Sequence, residues 1–432
     1  MEMGREYLTD SFVLRGNVCH APRQDALEIR ENACVVCEDG ICRGIYDELP
    51  GAFSGLEVID CSDRLILPGM VDLHTHAPQY PFRGTAMDCE LMEWLERNTF
   101  PEESRYADAA YATRAYEAFV ETLRRGATTR AVIFGTIHVD ATLILADLME
   151  RSGLLSYVGK VNMDRNAPDA LTEASAQRSA ADTRRFIEAC AERGYTRTKP
   201  IVTPRFVPSC TDALMEALGR IRAEYDLPVQ SHLSENPTEI ELVRTLCPQA
   251  AFYGDAYDRF GLFGSGNTVM AHCVYSSPQE VARIRENGVW VAHCPASNMN
   301  IASGIAPVRR YMEEGLRIGL GTDMAGGHSA SMFRAVTDAI QVSKLYWRYL
   351  DQTAKPLTFG EAFFLATRGG GAFFGKAGCF EDGFAFDAVV LDDSARALPR
   401  PLTVRERLER AFYLELDRTG IVMKFAEGKP IL

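Results

Sequence analysis

Four of the eight histidines in this 432-residue chain stand at or near the ends of short apolar segments. His74 and His76 are two positions apart in Asp72-Leu-His-Thr-His76, while His232 and Asp323 end later segments. Alternate side chains of a strand point the same way, so the two imidazoles of the pair share one face. Three neutral imidazoles and one carboxylate suit a divalent cation such as zinc and leave room for a water molecule. The residues therefore predict a metal site.

Two further polar residues accompany these ligands. His272 ends another apolar run, and Glu235 follows His232 by three positions. Each residue taken singly also has a structural interpretation. His232 or His272 could be a histidine of the core, and Asp323 a turn residue or helix cap. Glu235 could be a carboxylate that caps the next helix. Their coincidence at the ends of separate segments favours the metal site.

The elements that must position these residues alternate along the chain. Apolar strand patterns cover residues 65–74, 127–135, 154–164, 200–208, 228–233, 268–274, 289–294 and 317–322. Helical spacing is found in residues 107–125, 172–193, 211–225, 237–247 and 278–287. This alternation predicts an α/β fold with a parallel sheet. Eight such units match a (β/α)8 TIM-like barrel, whose catalytic groups lie at the C-terminal strand ends. A doubly wound open sheet is the alternative, although no glycine-rich phosphate loop follows the first strand.

The two ends of the chain have a different pattern. Residues 11–64 and 384–432 contain short apolar runs separated by turn residues, too few at either end for a stable sheet. We predict a small β-sandwich domain formed by both termini, with residues 1–67 and 381–432 flanking a barrel of residues 68–380. Cys34 and Cys37 have the spacing of half a zinc site or a redox pair. No second pair follows, so they are interpreted as strand residues before a hairpin turn.

Composition and charge exclude several classes of protein. The chain is 47% hydrophobic and 24% charged, and its 46 Lys and Arg against 59 Asp and Glu give a net charge of −13. This balance disfavours binding to nucleic acid or to an anionic membrane. No apolar stretch approaches the ~18–20 residues of a membrane span. Charged residues within positions 1–15 disfavour a secretory signal, and twelve scattered cysteines fit a reducing, cytoplasmic location.

The motifs around the predicted metal site resemble the metal-dependent amidohydrolase superfamily and, within it, the guanine deaminase family. The wider resemblance rests on Pro68-Gly-Met-Val-Asp-Leu-His-Thr-His76, His232, His272 and Gly321-Thr-Asp323. The narrower one rests on His76-Ala-Pro-Gln79, Trp94-Leu-Glu-Arg-Asn-Thr-Phe-Pro101, Met163-Asp-Arg-Asn-Ala-Pro-Asp169, Thr203-Pro-Arg-Phe-Val-Pro208, His232-Leu-Ser-Glu-Asn236 and Gly321-Thr-Asp-Met-Ala-Gly-Gly327. These motifs run from about residue 65 to 375. Phe386-Asp387 departs from the Ala-Asp usual in the superfamily, at a distance in sequence from every predicted site residue.

The resemblance implies a hydrolase that converts guanine to xanthine and ammonia, acting as a homodimer with one Zn2+ ion per chain. Members with two metals use a modified lysine at the end of strand four, where this chain has Arg205 after Lys199. A mononuclear site is therefore implied, with His74, His76, His232 and Asp323 as metal ligands. The implied catalytic residues are Glu235, His272 and Asp323. His272 and Asp323 take and orient the proton of water, and Glu235 gives a proton to the ring nitrogen and then to the leaving amine.

The resemblance also implies a substrate pocket formed by His76, Gln79, Trp94, Arg205, Phe206, His232, Glu235 and Asp323. Gln79, Arg205 and the main chain of Phe206 hold the purine edge, and Trp94 belongs to a lid. Arg205 could instead form an ion pair at the barrel rim. Trp94 could instead belong to an ordinary amphipathic helix. Among the remaining histidines, His328 is either a pocket wall or a support for the site. Three others are interpreted as structural: His20, His138 and His293.

Two other functions remain open at this stage. One is the deamination of a related fused ring, such as a pterin or an oxidised guanine, because only the pocket and not the metal site would differ. The other is a non-catalytic binding protein on the same fold. A substrate panel distinguishes the first alternative, and the metal content of the purified protein distinguishes the second.

Overall fold

The computed structural model describes residues 10–264, 266–394 and 400–432. The first nine residues, which belong to the predicted N-terminal β segment and to the segment tested for a secretory signal, lie outside this range, as do residues 395–399 of the C-terminal one. Within the described part of the chain, no helix has both the length and the apolar character needed to cross a membrane.

Strands and helices alternate through the middle of the chain and give way to strands at both ends. The strands are β1 (Phe12–Arg23), β2 (Ala26–Glu38), β3 (Ile41–Tyr46), β4 (Glu57–Pro68), β5 (Met70–His76), β6 (Thr128–Phe134), β7 (Leu155–Gly159), β8 (Val161–Asn162), β9 (Thr198–Pro200), β10 (Thr203–Pro204), β11 (Val229–Leu233), β12 (Thr268–His272), β13 (Trp290–His293), β14 (Arg317–Leu320), β15 (Ala388–Leu391), β16 (Ile421–Ala426) and β17 (Lys429–Pro430). The α-helices are α1 (Leu91–Trp94), α2 (Phe100–Glu103), α3 (Ala109–Arg125), α4 (Val139–Ser152), α5 (Ala176–Glu192), α6 (Asp212–Tyr225), α7 (Pro237–Leu246), α8 (Asp255–Asp258), α9 (Pro278–Asn287), α10 (Pro295–Asn300), α11 (Val308–Glu313), α12 (Met332–Tyr349), α13 (Phe359–Phe364) and α14 (Val404–Tyr413). The predicted α/β class and the five predicted helices are confirmed.

Two parallel four-stranded sheets form the centre of the molecule, in the orders β5-β6-β7-β9 and β11-β12-β13-β14. Val202 and Val229 form an isolated parallel bridge between the chain after β9 and the start of β11. On the other side, the Asp323 N–H donates to the His74 carbonyl at 2.9 Å. One buried apolar cluster takes residues from both sheets: Val71, Leu73, Val132, Val269, Ala271, Trp290 and Ala292.

The first predicted strand, residues 65–74, is wrong as a single element. Its beginning is the end of β4 and its remainder is β5, and the two strands belong to different sheets. The hydrogen bonds change partner at Gly69, whose N–H donates to Asp387, whereas the Met70 N–H donates to Ala127. A Cβ at Gly69 would lie 2.2 Å from Thr129 Oγ1, so this crossing needs glycine.

Strands from both ends of the chain share one seven-stranded sheet, in the order β17-β16-β15-β4-β1-β2-β3. The flanking β pattern of the sequence predicts this joint assembly. It does not predict α14, which lies between β15 and β16 and begins with a capping box formed by Thr403 and Glu406. Cys34 and Cys37 lie buried in β2, as interpreted from the sequence.

Candidate active site

Four of the predicted metal ligands converge at the carboxyl ends of the central strands. The ligand nitrogens of His74, His76 and His232 lie within 4.8 Å of one another. Nε2 of His76 is 3.2 Å from Nε2 of His232. Asp323 Oδ1 lies 3.1 Å from Nε2 of His74 and 3.4 Å from Nε2 of His76. Three imidazole nitrogens and one carboxylate gathered at such distances fit the ligand set of a zinc ion.

The charge states of these groups suit metal binding. Burial lowers the pKa of His74, and it lowers those of His76 and His232 well below the ordinary value, so all three are neutral donors. Burial alone would raise the pKa of Asp323, but the neighbouring His74 and His272 bring it well below its usual range. The set is therefore three neutral imidazoles and one ionised carboxylate.

Contacts around the ligands fix their orientation. The Nδ1 of His232 is 2.6 Å from the carbonyl oxygen of Arg205, which makes that nitrogen the donor and leaves the lone pair of Nε2 available for a metal. The ring of Phe134 packs at 5.1 Å, 4.5 Å and 4.9 Å from the rings of His74, His76 and His232. Packing against Phe134 restricts all three imidazoles, and the hydrogen bond to the Arg205 carbonyl also fixes the ring of His232.

Left-handed backbone conformations follow three of the strands that carry the site. Ser234, His272 and Asp323 have φ values of 47°, 76° and 46°, in a region that residues other than glycine rarely adopt. Ser234 directly follows β11, His272 is the last residue of β12, and Asp323 lies three residues after β14. Local strain of this kind concentrates at functional sites, where surrounding contacts hold it in place.

Asp72 supports the ligand set, although the sequence analysis gave it no role. Its Oδ1 accepts from the N–H groups of His74 at 3.2 Å and Thr322 at 3.0 Å, and its Oδ2 accepts from Thr322 Oγ1 at 2.5 Å. Asp72 thereby joins the end of β5 to the segment that carries Asp323. Burial raises the pKa of Asp72 to about 7. The position of Asp72 inside an otherwise apolar strand was the feature of the sequence that could have indicated this supporting role.

Glu235 and His272 form a second polar pair beside the ligands. Nε2 of His272 lies 3.3 Å from Glu235 Oε2 and 3.7 Å from Asp323 Oδ2, and its Nδ1 lies 2.9 Å from Asn298 Oδ1. Ser303 Oγ donates to Glu235 Oε1 at 2.8 Å. Burial raises the pKa of Glu235 to about 7. Burial alone would lower the pKa of His272, but Glu235 and Asp323 raise it above its ordinary value. A carboxyl group with a pKa near neutrality can both give and take a proton.

The capping interpretation of Glu235 is wrong. The capping box of α7 consists of Asn236 and Glu239, whose side chain also accepts from the Glu235 N–H at 3.1 Å. The side chain of Glu235 is left to face His272.

A single cavity unites the predicted site residues, apart from His74, which lies behind it. Arg205 follows β10, and Trp94, at the end of α1, is only 3% exposed. Apolar surface from three residues that were given no site role, Leu91, Leu95 and Ile301, completes the wall. The predicted residues that line the cavity are His76, Gln79, Trp94, Arg205, Phe206, His232, Glu235, His272 and Asp323.

Arg205 makes an ion pair, but a buried one inside the site rather than one at the barrel rim. Its Nη1 donates to Glu103 Oε2 at 2.6 Å, and Gln79 Nε2 donates to Glu103 Oε1 at 2.9 Å. Gln79 Oε1 accepts from the Ala325 N–H at 3.0 Å. Sequence reasoning missed Glu103. It follows the Trp94–Pro101 motif next to a second glutamate, and nothing local distinguishes the two.

The remaining histidines lie away from this cavity. His20, His138 and His293 do not line it, in agreement with the structural interpretation. His328 is half-buried, with Nδ1 3.1 Å from Nδ2 of Asn300, and it lines a different groove. It is therefore not a wall of the predicted pocket. Lys199 is exposed in β9.

Comparisons with known proteins identify the family of the chain. The amidohydrolase family matches residues 65–429. A guanine deaminase of Dictyostelium discoideum is 36% identical over 94% of this chain and 95% of its own length. That of Mus musculus is 42% identical over 88% and 86% of the two chains. A solved guanine deaminase from C. acetobutylicum, with guanine bound in its active site, superimposes with a TM-score of 0.94 and 43% identity, covering 98% of this chain and 100% of its own. The chain therefore belongs to the amidohydrolase family.

Proposed function

We propose that the protein is a zinc-dependent hydrolase that deaminates guanine to xanthine and ammonia. One observation carries the proposal: three of the four predicted metal ligands, a carboxyl group with its pKa raised to about 7 and two hydrogen-bond donors line the same cavity, and His74 completes the ligand set beside it. The relatives named guanine deaminase, which align over most of the chain, support the choice of substrate.

His74, His76, His232 and Asp323 hold the metal, one ion per chain. A zinc ion in this position supplies the Lewis-acid chemistry that makes water nucleophilic near neutral pH. The resemblance supports a single metal, because members with two metals use a modified lysine at the end of strand four, where this chain has Arg205, and a guanidinium cannot act as such a bridge.

Glu235, His272 and Asp323 move the protons of the reaction. Asp323 and His272 accept and orient a proton of the attacking water. Glu235 gives its proton to the ring nitrogen next to the carbon that bears the amine. As the carbon–nitrogen bond breaks, the proton taken from water passes through Glu235 to the leaving amine, which departs as ammonia. The remaining hydroxyl proton of the added water is released as the carbonyl forms and returns to Glu235, which restores the starting state. Acid–base catalysis of this kind contributes ~10²–10⁴-fold.

Arg205, Gln79 and the main chain of Phe206 recognise the purine edge. The guanidinium has donors and no acceptor, so it favours the carbonyl of guanine over the amine that adenine has at that position. Adenine also lacks an amine at the carbon that is attacked. Trp94 covers the ring and excludes water together with the apolar cavity wall.

The fold that carries this site is a closed (β/α)8 barrel of residues 68–380, with a small β-sandwich of residues 1–67 and 381–432 beside it. Contacts on both sides of the two parallel sheets and the apolar cluster they share support closure. Buried apolar clusters at the seven-stranded sheet support the sandwich. The family resemblance supports a homodimer, and the twelve scattered cysteines support a cytoplasmic location.

The test is incubation of the purified protein with guanine, with and without a chelator. We expect xanthine and ammonia in equal amounts, loss of turnover after chelation, recovery with zinc and one zinc per chain by elemental analysis. Adenine, a pterin and an oxidised guanine serve as comparison substrates. Faster ammonia release from one of these than from guanine would contradict the substrate assignment, and a metal-free active protein would contradict the cofactor.

A further inference from the structure

Glu103 is a buried carboxylate that touches none of the four metal ligands but holds two residues of the cavity. It ends α2 and is 1% exposed. Its Oε1 accepts from Gln79 Nε2 at 2.9 Å, and its Oε2 accepts from Arg205 Nη1 at 2.6 Å. Both partners are themselves buried and line the cavity. One carboxylate thus sets the position of both donors.

These contacts determine which atoms Gln79 presents. Its Oε1 already accepts from the Ala325 N–H at 3.0 Å, and one N–H already donates to Glu103. Rotating the amide by half a turn would place donor against donor and acceptor against acceptor. Glu103 therefore fixes the amide orientation of Gln79, which keeps its second N–H for a ligand.

The charge of Glu103 determines what kind of ligand the cavity accepts. A buried guanidinium without a counterion is unfavourable, and a neutral heterocycle cannot provide one. Glu103 neutralises Arg205 within the protein, while the other N–H groups of Arg205 remain available as donors. An anionic ligand would bring a second negative charge to an arginine that is already paired.

We propose that Glu103 is a positioning residue that makes the cavity selective for neutral rather than anionic heterocycles, by neutralising Arg205 and orienting Gln79. The inference rests on the proposed function only for the choice of purines as ligands. Removing the charge while keeping the shape, as in Glu103→Gln, frees the positive charge of Arg205. It also leaves one donor facing another, because Gln79 and Arg205 bond to different oxygens of Glu103 and glutamine has an NH2 group in place of one of them.

The experiment measures binding of two purines to the full-length, zinc-loaded protein by calorimetry near pH 7.5. Hypoxanthine is neutral and urate is a monoanion, and both carry a carbonyl on the six-membered ring. For Glu103→Gln we expect hypoxanthine binding to weaken about 10-fold, the cost of a charge-assisted hydrogen bond, and urate binding to strengthen. The matched control is Glu102→Gln on the same helix, because Glu102 bonds to Tyr111 and does not line the cavity.

Two further variants test the charge argument if Glu103→Gln does not fold. Glu103→Asp keeps the negative charge but moves it away from Arg205 and Gln79, because the side chain is one methylene shorter. Hypoxanthine binding should therefore fall, while the ratio of the urate and hypoxanthine affinities stays at the wild-type value. Arg205→Gln leaves Glu103 uncompensated and moves that ratio against urate. Equal weakening of both purines in Glu103→Gln or in Arg205→Gln, or the same ratio change in Glu102→Gln, would overturn the inference. Because these are binding measurements, a wild-type protein that releases no ammonia from guanine contradicts only the proposed function.

Discussion

Two buried charged clusters in this molecule satisfy their polar atoms in opposite ways. The cavity cluster consists of His74, His76, His232 and Asp323, whose ligand atoms face one another. The junction cluster consists of Arg130, Asp387 and Lys424, where the central sheets meet the terminal one. Arg130 bonds to both oxygens of Asp387, at 2.5 Å and 3.2 Å. Lys424 Nζ donates to three carbonyl oxygens at the end of α3, at 2.8 Å, 3.1 Å and 2.9 Å.

This difference indicates that the junction cluster serves the stability of the fold, whereas the cavity cluster serves function. In the junction cluster every charge meets protein donors or acceptors, as buried charges must if they only support the fold. In the cavity cluster, three imidazole nitrogens and a carboxylate share one space in an arrangement that fits a bound cation. Substitutions in the cavity cluster should therefore remove metal or activity, and substitutions in the junction cluster should remove stability alone.

The largest effect is expected from His232→Ala. With three ligands left, we expect the metal affinity to fall by more than the ~10–100-fold that loss of an outer-shell partner causes, and turnover to disappear with the metal. The matched control is His293→Ala, which removes a buried histidine outside the cavity. Elemental analysis after dialysis provides the measurement. A His232→Ala protein that retains one zinc per chain would show that the ligand set is wrong.

Glu235→Gln should separate proton transfer from metal binding. We expect the zinc content to stay at the wild-type value while kcat falls by ~10²–10⁴-fold, because an amide cannot deliver the proton. Glu241→Gln, at an exposed position of α7, is the control. Zinc content and kcat are measured on the same preparations. If Glu235→Gln loses as much metal as His232→Ala, then Glu235 is a ligand.

Arg205→Leu should raise the KM for guanine by about 10–100-fold, the range for a lost charge-assisted hydrogen bond, and Arg205→Lys should raise it less. The leucine variant also leaves Glu103 without its cation. Steady-state kinetics with guanine and adenine provide the comparison, and wild-type protein should release no ammonia from adenine, which lacks an amine at the attacked carbon. Comparable ammonia release from adenine would contradict the placement of Arg205.

The contrast between the clusters also explains what the sequence could predict. His74, His76, His232 and Asp323 each stand at or near a strand end, so local patterns were enough to bring them together. Glu103 was missed because its role depends on Arg205, 102 positions away.

One more contact and one strand boundary also could not be predicted from local sequence. Asp72 acts on Thr322, 250 positions away, a pairing that no local pattern reports. The division between β4 and β5 at Gly69 was hidden because an unbroken apolar run can be shared by two sheets. Local propensity finds the strands, but it does not show which sheet each residue joins.

The smallest effect on activity is expected from Asp387→Asn in the junction cluster. Asp387 pairs with Arg130 and also accepts from the Glu427 N–H at 2.9 Å. An amide therefore removes the nearer and buried carboxylate of the guanidinium and leaves only the half-exposed Glu427, at 3.4 Å. Breaking a buried pair in this way costs about 3–5 kcal/mol, which should lower the temperature of thermal unfolding. Because no member of the junction cluster lines the cavity, kcat/KM for guanine and zinc content should match wild type at temperatures where the variant is folded. The control is Asp382→Asn, which removes an ion pair between Arg43 and the exposed Asp382. It should change neither the temperature of thermal unfolding nor kcat/KM nor the zinc content. If Asp387→Asn loses zinc at a temperature at which it is fully folded, the two clusters are coupled, and stability and function are not separate.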